Sequence, residues 1–301
     1  MKILITGSNG LLGQKLVKQL LTDKKHQFLA TAKGENRLIS ISGFEYKTMD
    51  ITNKQQVFDV IESYQPNCVI HTAAMTNVDQ CESEKEACLA MNVEAVRYLA
   101  EVCDKHSIHL VHVSTDFIFD GTHGPLSEDE QPNPISFYGQ SKLDAELIVQ
   151  NMTAPWSIAR TVLVIGIVDQ MSRSNIVLWA KGALEKNQKI NVVTDQFRTP
   201  TLAEDLADGC IKIAEQKAKG VFNISGPDQM SIFELVSQVA EHFNLDKSLI
   251  NPVNSTNFSQ PAKRPPITGF LIDKAKKELN YNPHSFSKSL AIIESQIAAF
   301  S

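Results

Sequence analysis

Three glycines spaced by two residues, Gly7, Gly10 and Gly13, separate a short apolar run from a helical pattern near the start of the chain. The run Lys2-Ile3-Leu4-Ile5-Thr6 suits a strand buried on both faces. From Leu11 the apolar residues change to helical spacing, at Leu12, Leu16 and Leu20, with Lys15 and Lys18 expected on the outer side. Glycine at such a junction serves three needs: a tight turn, close backbone approach to a pyrophosphate, and close packing of helix on strand. The helix N-terminus adds unpaired N–H groups and a partial positive charge. A glycine pattern alone also fits a plain strand-to-helix turn, and its context between strand and helix is what favours a dinucleotide cradle.

The alternation continues. Residues 27–31, 68–72 and 108–114 read as strands, and 53–64, 84–106 and 138–150 as helices. Regular alternation predicts parallel crossovers and an α/β, Rossmann-like, doubly wound parallel sheet. Beyond about Ala154 the rhythm loosens into strands over 157–165, 190–193 and 220–225 and helices over 176–185, 202–216 and 232–243. Residues 251–266 hold Pro252, Pro261, Pro265 and Pro266 and read as an irregular loop. The expected division is a dinucleotide-binding domain over 1–155 and a mainly substrate-binding lobe over 156–301, with later segments returning to the first domain.

Composition narrows the function. The chain has 301 residues, and 29 Lys+Arg against 34 Asp+Glu give a net charge of −5, which offers no electrostatic reason to bind nucleic acid or an anionic membrane. Its longest apolar stretches fall short of the ~18 residues a membrane-spanning helix requires. The five cysteines form no C-x-x-C pair and are expected to be reduced thiols of a cytoplasmic protein. No metal site is expected: His109 and His112, three apart on a strand, face opposite sides and read as core-edge residues. The run Ser127-Glu128-Asp129-Glu130 reads as a solvated loop. Trp156 and Trp179 read as packing residues, with the border of the substrate pocket as a second place for Trp179.

Tyr138 and Lys142 stand four apart at the start of a helical pattern and so share a face. A phenol titrates near pH 10, and a nearby ammonium favours the phenolate, so the pair is expected to exchange a proton with a carbonyl or alcohol oxygen. The preceding strand delivers Ser114 and Thr115 at its carboxyl end, where ligands of open α/β sheets bind. Alternation lets only one of these hydroxyls face the substrate oxygen. After the second strand no carboxylate is placed to select NAD, and Lys33 and Arg37 stand there instead, either able to meet a 2′-phosphate. Glu35 is a competing candidate for the ribose. NADPH is therefore the expected cofactor, with NADH also usable.

Four segments occur together in order: Thr6-Gly7-Ser8-Asn9-Gly10-Leu11-Leu12-Gly13, residues 71–79 (His-Thr-Ala-Ala-Met-Thr-Asn-Val-Asp), residues 113–121 (Val-Ser-Thr-Asp-Phe-Ile-Phe-Asp-Gly) and Tyr138-Gly139-Gln140-Ser141-Lys142. Over nearly its whole length the chain resembles the extended short-chain dehydrogenase/reductases, and within them the dTDP-4-dehydrorhamnose reductase family. The resemblance implies that Thr115, Tyr138 and Lys142 are catalytic. It implies that Gly7, Gly10 and Gly13 hold the pyrophosphate, that Asn9, Leu11 and Leu12 also bind the cofactor, and that Asp50 and Ile51 lie beside the adenine. Ala73 and Ala74 would pass the cofactor, and Asn92, a helix asparagine, would support the site. Thr76, Asp116, Arg198 and Arg264 would meet the substrate.

Two departures, Phe197-Arg198-Thr199 where the family has glycine and the partly matching Arg264–Phe270 segment, lie where a nucleotide sugar would bind and leave its identity open. The implied activity is NAD(P)H-dependent reduction of the 4-keto group of a nucleotide-linked deoxysugar, with a homodimer as the candidate assembly. The rivals are a nucleotide-sugar epimerase or dehydratase, and a regulatory subunit resembling that of methionine adenosyltransferase.

Overall fold

The computed structural model describes residues 1–171, 173–257 and 260–300. The first half runs β1 (Lys2–Thr6), α1 (Leu11–Asp23), β2 (Gln27–Ala32), β3 (Glu45–Thr48), α2 (Lys54–Tyr64), β4 (Cys68–His71), α3 (Val78–Ser83), α4 (Lys85–Leu89), α5 (Ala95–His106), β5 (His109–Thr115), α6 (Phe137–Gln150) and β6 (Trp156–Thr161). Then follow β7 (Val164–Ile165), α7 (Ile176–Glu185), β8 (Ile190–Val193), β9 (Phe197–Arg198), β10 (Thr201–Leu202), α8 (Ala203–Gln216), β11 (Gly220–Asn223), β12 (Met230–Ser231), α9 (Ile232–His242), β13 (Ile250–Val253), α10 (Asp273–Leu279) and α11 (Phe286–Phe300).

Seven parallel strands form the central sheet in the order β11-β6-β5-β4-β1-β2-β3. The strand order reverses at β1, so a crevice opens between the carboxyl ends of β1 and β4, where such folds bind ligands. Two apolar layers cover the faces. One joins Ile3 and Ile5 to α1, α8 and α10; the other joins Leu4 to α2, α5 and α6. Burial of Ile3, Leu4 and Ile5, all at 0% exposure, contributes about 1.5–3 kcal/mol each.

Two glycines in the turn are sterically required. Gly7 has φ +70°, and a Cβ there would lie 2.7 Å from the Ala73 nitrogen. A Cβ on Gly13 would lie 2.3 Å from the Gly7 carbonyl oxygen, so α1 packs this closely on β1 only without a side chain.

A separate apolar cluster binds α7, α9 and α11 to β8 and β13. β11 comes from the same late part of the chain and returns to the central sheet beside β6.

Several expectations need correction. The helix expected over 84–106 contains a π turn at Ala90–Glu94. The strand expected over 157–165 breaks after Thr161, with Leu163 at φ +39°, and resumes as β7. The loop expected over 251–266 begins as β13, paired in parallel with β8, and its residues 258 and 259 lie outside the described residues. Lys15 does not face outward: it is buried between α1 and α8, 2.7 Å from Glu204. All five cysteines are free and buried. Among the described residues no group of three His, Cys, Asp or Glu could hold a metal ion, and no helix is long and apolar enough to cross a membrane.

Candidate active site

A cavity of about 660 Å³ opens at the carboxyl edge of the sheet, lined from the glycine turn to the late loops. Asn9, Gly10, Leu11, Leu12 and Gly13 form one end, and Ala74, Thr76, Ser114, Thr115, Tyr138 and Lys142 line its middle. Helix α1 follows Gly10 with no side-chain cap and no acidic residue in its first turn. Its terminal N–H groups and dipole therefore meet the cavity without a competing carboxylate, a fit to a phosphate pair. Asn9 donates to the Glu35 carbonyl at 2.8 Å and accepts from the Arg37 nitrogen at 2.9 Å, which pins the loop after β2 beside the glycine turn.

That loop does not yet present its cations to the cavity. Lys33 is 2.8 Å from Asp50, whose hydrogen bond raises the ammonium's pKa. Partial burial works against ionisation of Asp50, yet hydrogen bonds from Lys33 and Thr52 hold its carboxyl below the usual range. Neither Arg37, Asp50 nor Ile51 lines the cavity; Ile51 belongs to the apolar layer under α2 and α5. Ala73 packs against Gly7, leaving Ala74 at the cavity wall.

The centre of the site is set by β5 and α6. Ser136 caps α6 by accepting from the Gly139 nitrogen, and Glu82 accepts from the Phe137 nitrogen at 2.7 Å. The cap places Tyr138 in the first turn and Lys142 one turn later, as the i, i+4 spacing predicts. The Thr115 hydroxyl stands beside the Tyr138 phenol and favours its ionised form. Thr115 also donates to Asp116 Oδ1 at 3.1 Å. Ser114 reaches the cavity as well, its Oγ buried without a partner among the described residues.

Electrostatics correct one expectation. Burial raises the Tyr138 phenol above its ordinary value, and the neighbouring Thr115 hydroxyl opposes this only in part. Lys142 donates to the Val113 carbonyl at 2.8 Å and lies 3.0 Å from His112 Nε2. Burial lowers Lys142 to about 8, with Glu146 acting the other way. The lysine is thus engaged with β5, and the phenol remains protonated at neutral pH.

Asn92 lies in the π turn, buried and away from the cavity lining. Its Oδ1 accepts from the Met75 nitrogen at 2.8 Å, and its Nδ2 donates to the Met75 carbonyl and to Ser141 Oγ, both at 3.1 Å. It fastens the loop after β4 to α6, a positioning role. A π turn supplies that inward reach, and the helical period of the sequence does not reveal it.

The substrate candidates separate. Arg198 is buried and donates to the carbonyls of Phe197 and Pro265, both at 2.7 Å, and of Pro266 at 3.1 Å. Its Nε lies 3.8 Å from Asp116 Oδ2. Although it lines the cavity, most of its donors are taken, so it acts chiefly as a brace. Buried Asp116 also accepts from Thr268 at 2.5 Å, and burial raises its pKa although Arg198 opposes. Arg264, also at the wall, is paired with Asp79 at 2.7 Å, and that bond holds the Asp79 carboxyl below its usual value.

The sequence reading did not include Arg173, which lines the cavity and donates to the Thr76 carbonyl at 3.2 Å. It lies in a segment without periodicity, so only the fold brings it there. Trp179 is 43% exposed and does not line the cavity. His112 is fully buried, not at the core edge. Glu128 is not simply solvated, since its carboxylate accepts from the Asn223 nitrogen at 3.0 Å.

Comparison with known proteins gives the family. The family model described as the RmlD substrate binding domain matches residues 1–298. A dTDP-4-dehydrorhamnose reductase from Aggregatibacter actinomycetemcomitans is 30% identical over 302 residues, covering 96% of this chain and 97% of that protein. The methionine adenosyltransferase 2 subunit beta of Rattus norvegicus is 29% identical over 260 residues, covering 85% of this chain and 76% of that protein. Among solved structures, a dTDP-4-dehydrorhamnose reductase from Bacillus anthracis in complex with NADP superposes with a TM-score of 0.86 at 27% identity, covering 98% of this chain and 99% of that one. These likenesses show that the chain belongs to the RmlD substrate-binding-domain family of the extended short-chain dehydrogenase/reductases.

Proposed function

We propose that this protein is an NAD(P)H-dependent reductase of the 4-keto group of a nucleotide-linked deoxysugar, the reaction class of the dTDP-4-dehydrorhamnose reductases it resembles. One observation carries the reading: Thr115, Tyr138 and Lys142 meet at the wall of a cavity that begins at an uncapped helix N-terminus. The nicotinamide supplies the hydride when bound. Residues 1–155 would mainly hold it, with the phosphates at Gly7, Asn9, Gly10, Leu11, Leu12 and Gly13, while 156–301 would mainly shape the sugar-nucleotide side.

In that reaction Tyr138 is the proton donor. Reduction converts a ketone oxygen into an alkoxide far more basic than a phenolate, so a phenol kept protonated by burial suits donation. Thr115 orients the ketone oxygen toward the phenol. Lys142 holds the ribose side of the cavity and offers its charge as the phenolate forms. Asn92 keeps the loop of Met75 and Thr76 against α6, and Arg264 and Arg173 stand where a diphosphate can replace their present partners. Asp116 and Arg198 brace the floor. A cytoplasmic location and a homodimer belong to the same proposal.

The relatedness to the regulatory subunits does not displace this reading, since a purely binding role would not require Thr115, Tyr138 and Lys142 together. The test is incubation with NADPH or NADH and a panel of nucleotide 4-ketosugars, following loss of reduced-nicotinamide absorbance. Turnover with at least one sugar supports the reading, and none across the panel overturns it.

A further inference from the structure

Beneath Lys142 lies a polar row that the reaction as derived does not use. Thr6, His71 and His112 occupy matching register positions on β1, β4 and β5. Thr6 Oγ1 and His71 Nδ1 are 2.7 Å apart, and the His71 and His112 rings stack with centroids 5.4 Å apart. His112 Nε2 then meets Lys142 Nζ at 3.0 Å. All four side chains are buried.

We propose that His112 is a positioning residue for Lys142, accepting a hydrogen bond from Nζ as a neutral imidazole and holding the ammonium at the end of β5 in its charged form. The inference rests on the reading of Lys142 as the lysine of the catalytic centre.

A lysine ammonium has three donors and no acceptor, and burial requires each to find a partner. The Val113 carbonyl takes one and His112 Nε2 a second, which leaves one N–H for the cavity. Accepting at Nε2 puts the imidazole proton on Nδ1, and Nδ1 is a buried atom without a partner among the described residues. The ring thus turns its acceptor to the lysine and its N–H away from it.

Protonation of His112 is opposed by burial and then by the Lys142 and His71 beside it. The other groups acting on the lysine are Glu146 on its own helix and Cys88 from α4, with Glu146 tied 2.8 Å from Arg160 of β6 and Tyr138 one turn earlier on the same helix. Burial already brings Lys142 to about 8, so at working pH its charge depends on the acceptors it keeps.

The test uses the full chain. His112→Phe keeps a stacking ring and removes the acceptor. The alkaline limb of its kcat profile is expected to move to lower pH by about one unit, the size of one hydrogen bond to a charged group. His112→Gln, which keeps an acceptor, is expected to restore the limb. A purely structural role would lower kcat equally at all pH values and leave the limb in place, which would overturn the proposal.

Imidazole ¹⁵N spectra supply a readout that needs no substrate. His112 is expected to stay neutral between about pH 5.5 and 8 with the proton on Nδ1, and its Nε2 resonance to shift in Lys142→Met. A proton on Nε2, or titration near the ordinary histidine value of about 6.5, would overturn the proposal even if the protein reduces no sugar.

Discussion

Tyr138 sits where a reaction oxygen would meet Thr115, and its burial makes it a donor and not a resident phenolate. Tyr138→Phe removes one oxygen and keeps the ring, which packs edge-on against Phe117 at 5.7 Å. Turnover should fall by about 10²–10⁴-fold, the usual worth of a general acid, with the dissociation constant for NADPH nearly unchanged. Stopped-flow reduction and a fluorescence titration of NADPH separate the two quantities.

Lys33 makes a finer prediction at the same scale. Its ammonium is shared with Asp50, so a 2′-phosphate must compete with a carboxylate already in place. Preference for NADPH should therefore be modest, about tenfold in kcat/KM, and Lys33→Ala should abolish it by weakening NADPH alone. Equal loss with both cofactors would assign Lys33 to loop structure.

At the scale of elements, β9 and the Arg264–Phe270 segment are held together by Arg198, which ties three carbonyls and approaches Asp116. Arg198→Ala strands those acceptors and leaves a buried carboxylate uncompensated, so it should cost about 3–5 kcal/mol in urea unfolding. A cost below about 1 kcal/mol would show the brace to be dispensable.

The elements that carried a clear period were legible in the sequence: β1, α1 and the glycine turn follow from burial and sterics, and the Tyr138–Lys142 spacing follows from helix geometry. Arg198 was not legible, because a lone arginine in an aperiodic segment reads alike whether it faces solvent, phosphate or backbone carbonyls. The same holds for Arg173 and for the second partner of Lys142. Strand alternation places His112 and says nothing of a lysine thirty residues later. The π turn at Ala90–Glu94 escaped because its one-residue slip leaves the apolar pattern of a helix intact.

For the whole molecule, three buried histidines dominate the response to acid. Burial lowers His71 to about 3 and His109 to about 4, and puts His112 well below its ordinary value. The unfolded chain binds these protons near pH 6.5 and the folded one does not until those lower values, so the stability is fully present above 6.5 and lost as pH falls toward 4. The slope should approach about 1.4 kcal/mol per pH unit for each histidine. Asp116, raised by burial, acts in the opposite sense over part of that range. Urea unfolding at several pH values measures the slope, and His109→Gln should flatten it by one histidine's share. An unchanged slope in that variant would remove His109 from the account.

The proposed reaction is net hydride transfer to a sugar carbonyl carbon under the control of Thr115, Tyr138 and Lys142. Its most direct test is to supply NADPH deuterated at the transferable position with a dTDP-linked 4-keto-6-deoxysugar, and to examine the sugar by NMR. One deuterium is expected at C4 of the product for each NADPH consumed, and none in Tyr138→Phe within the same time. An unlabelled sugar with no NADPH consumed, or a sugar changed in configuration while NADPH is conserved, would contradict it.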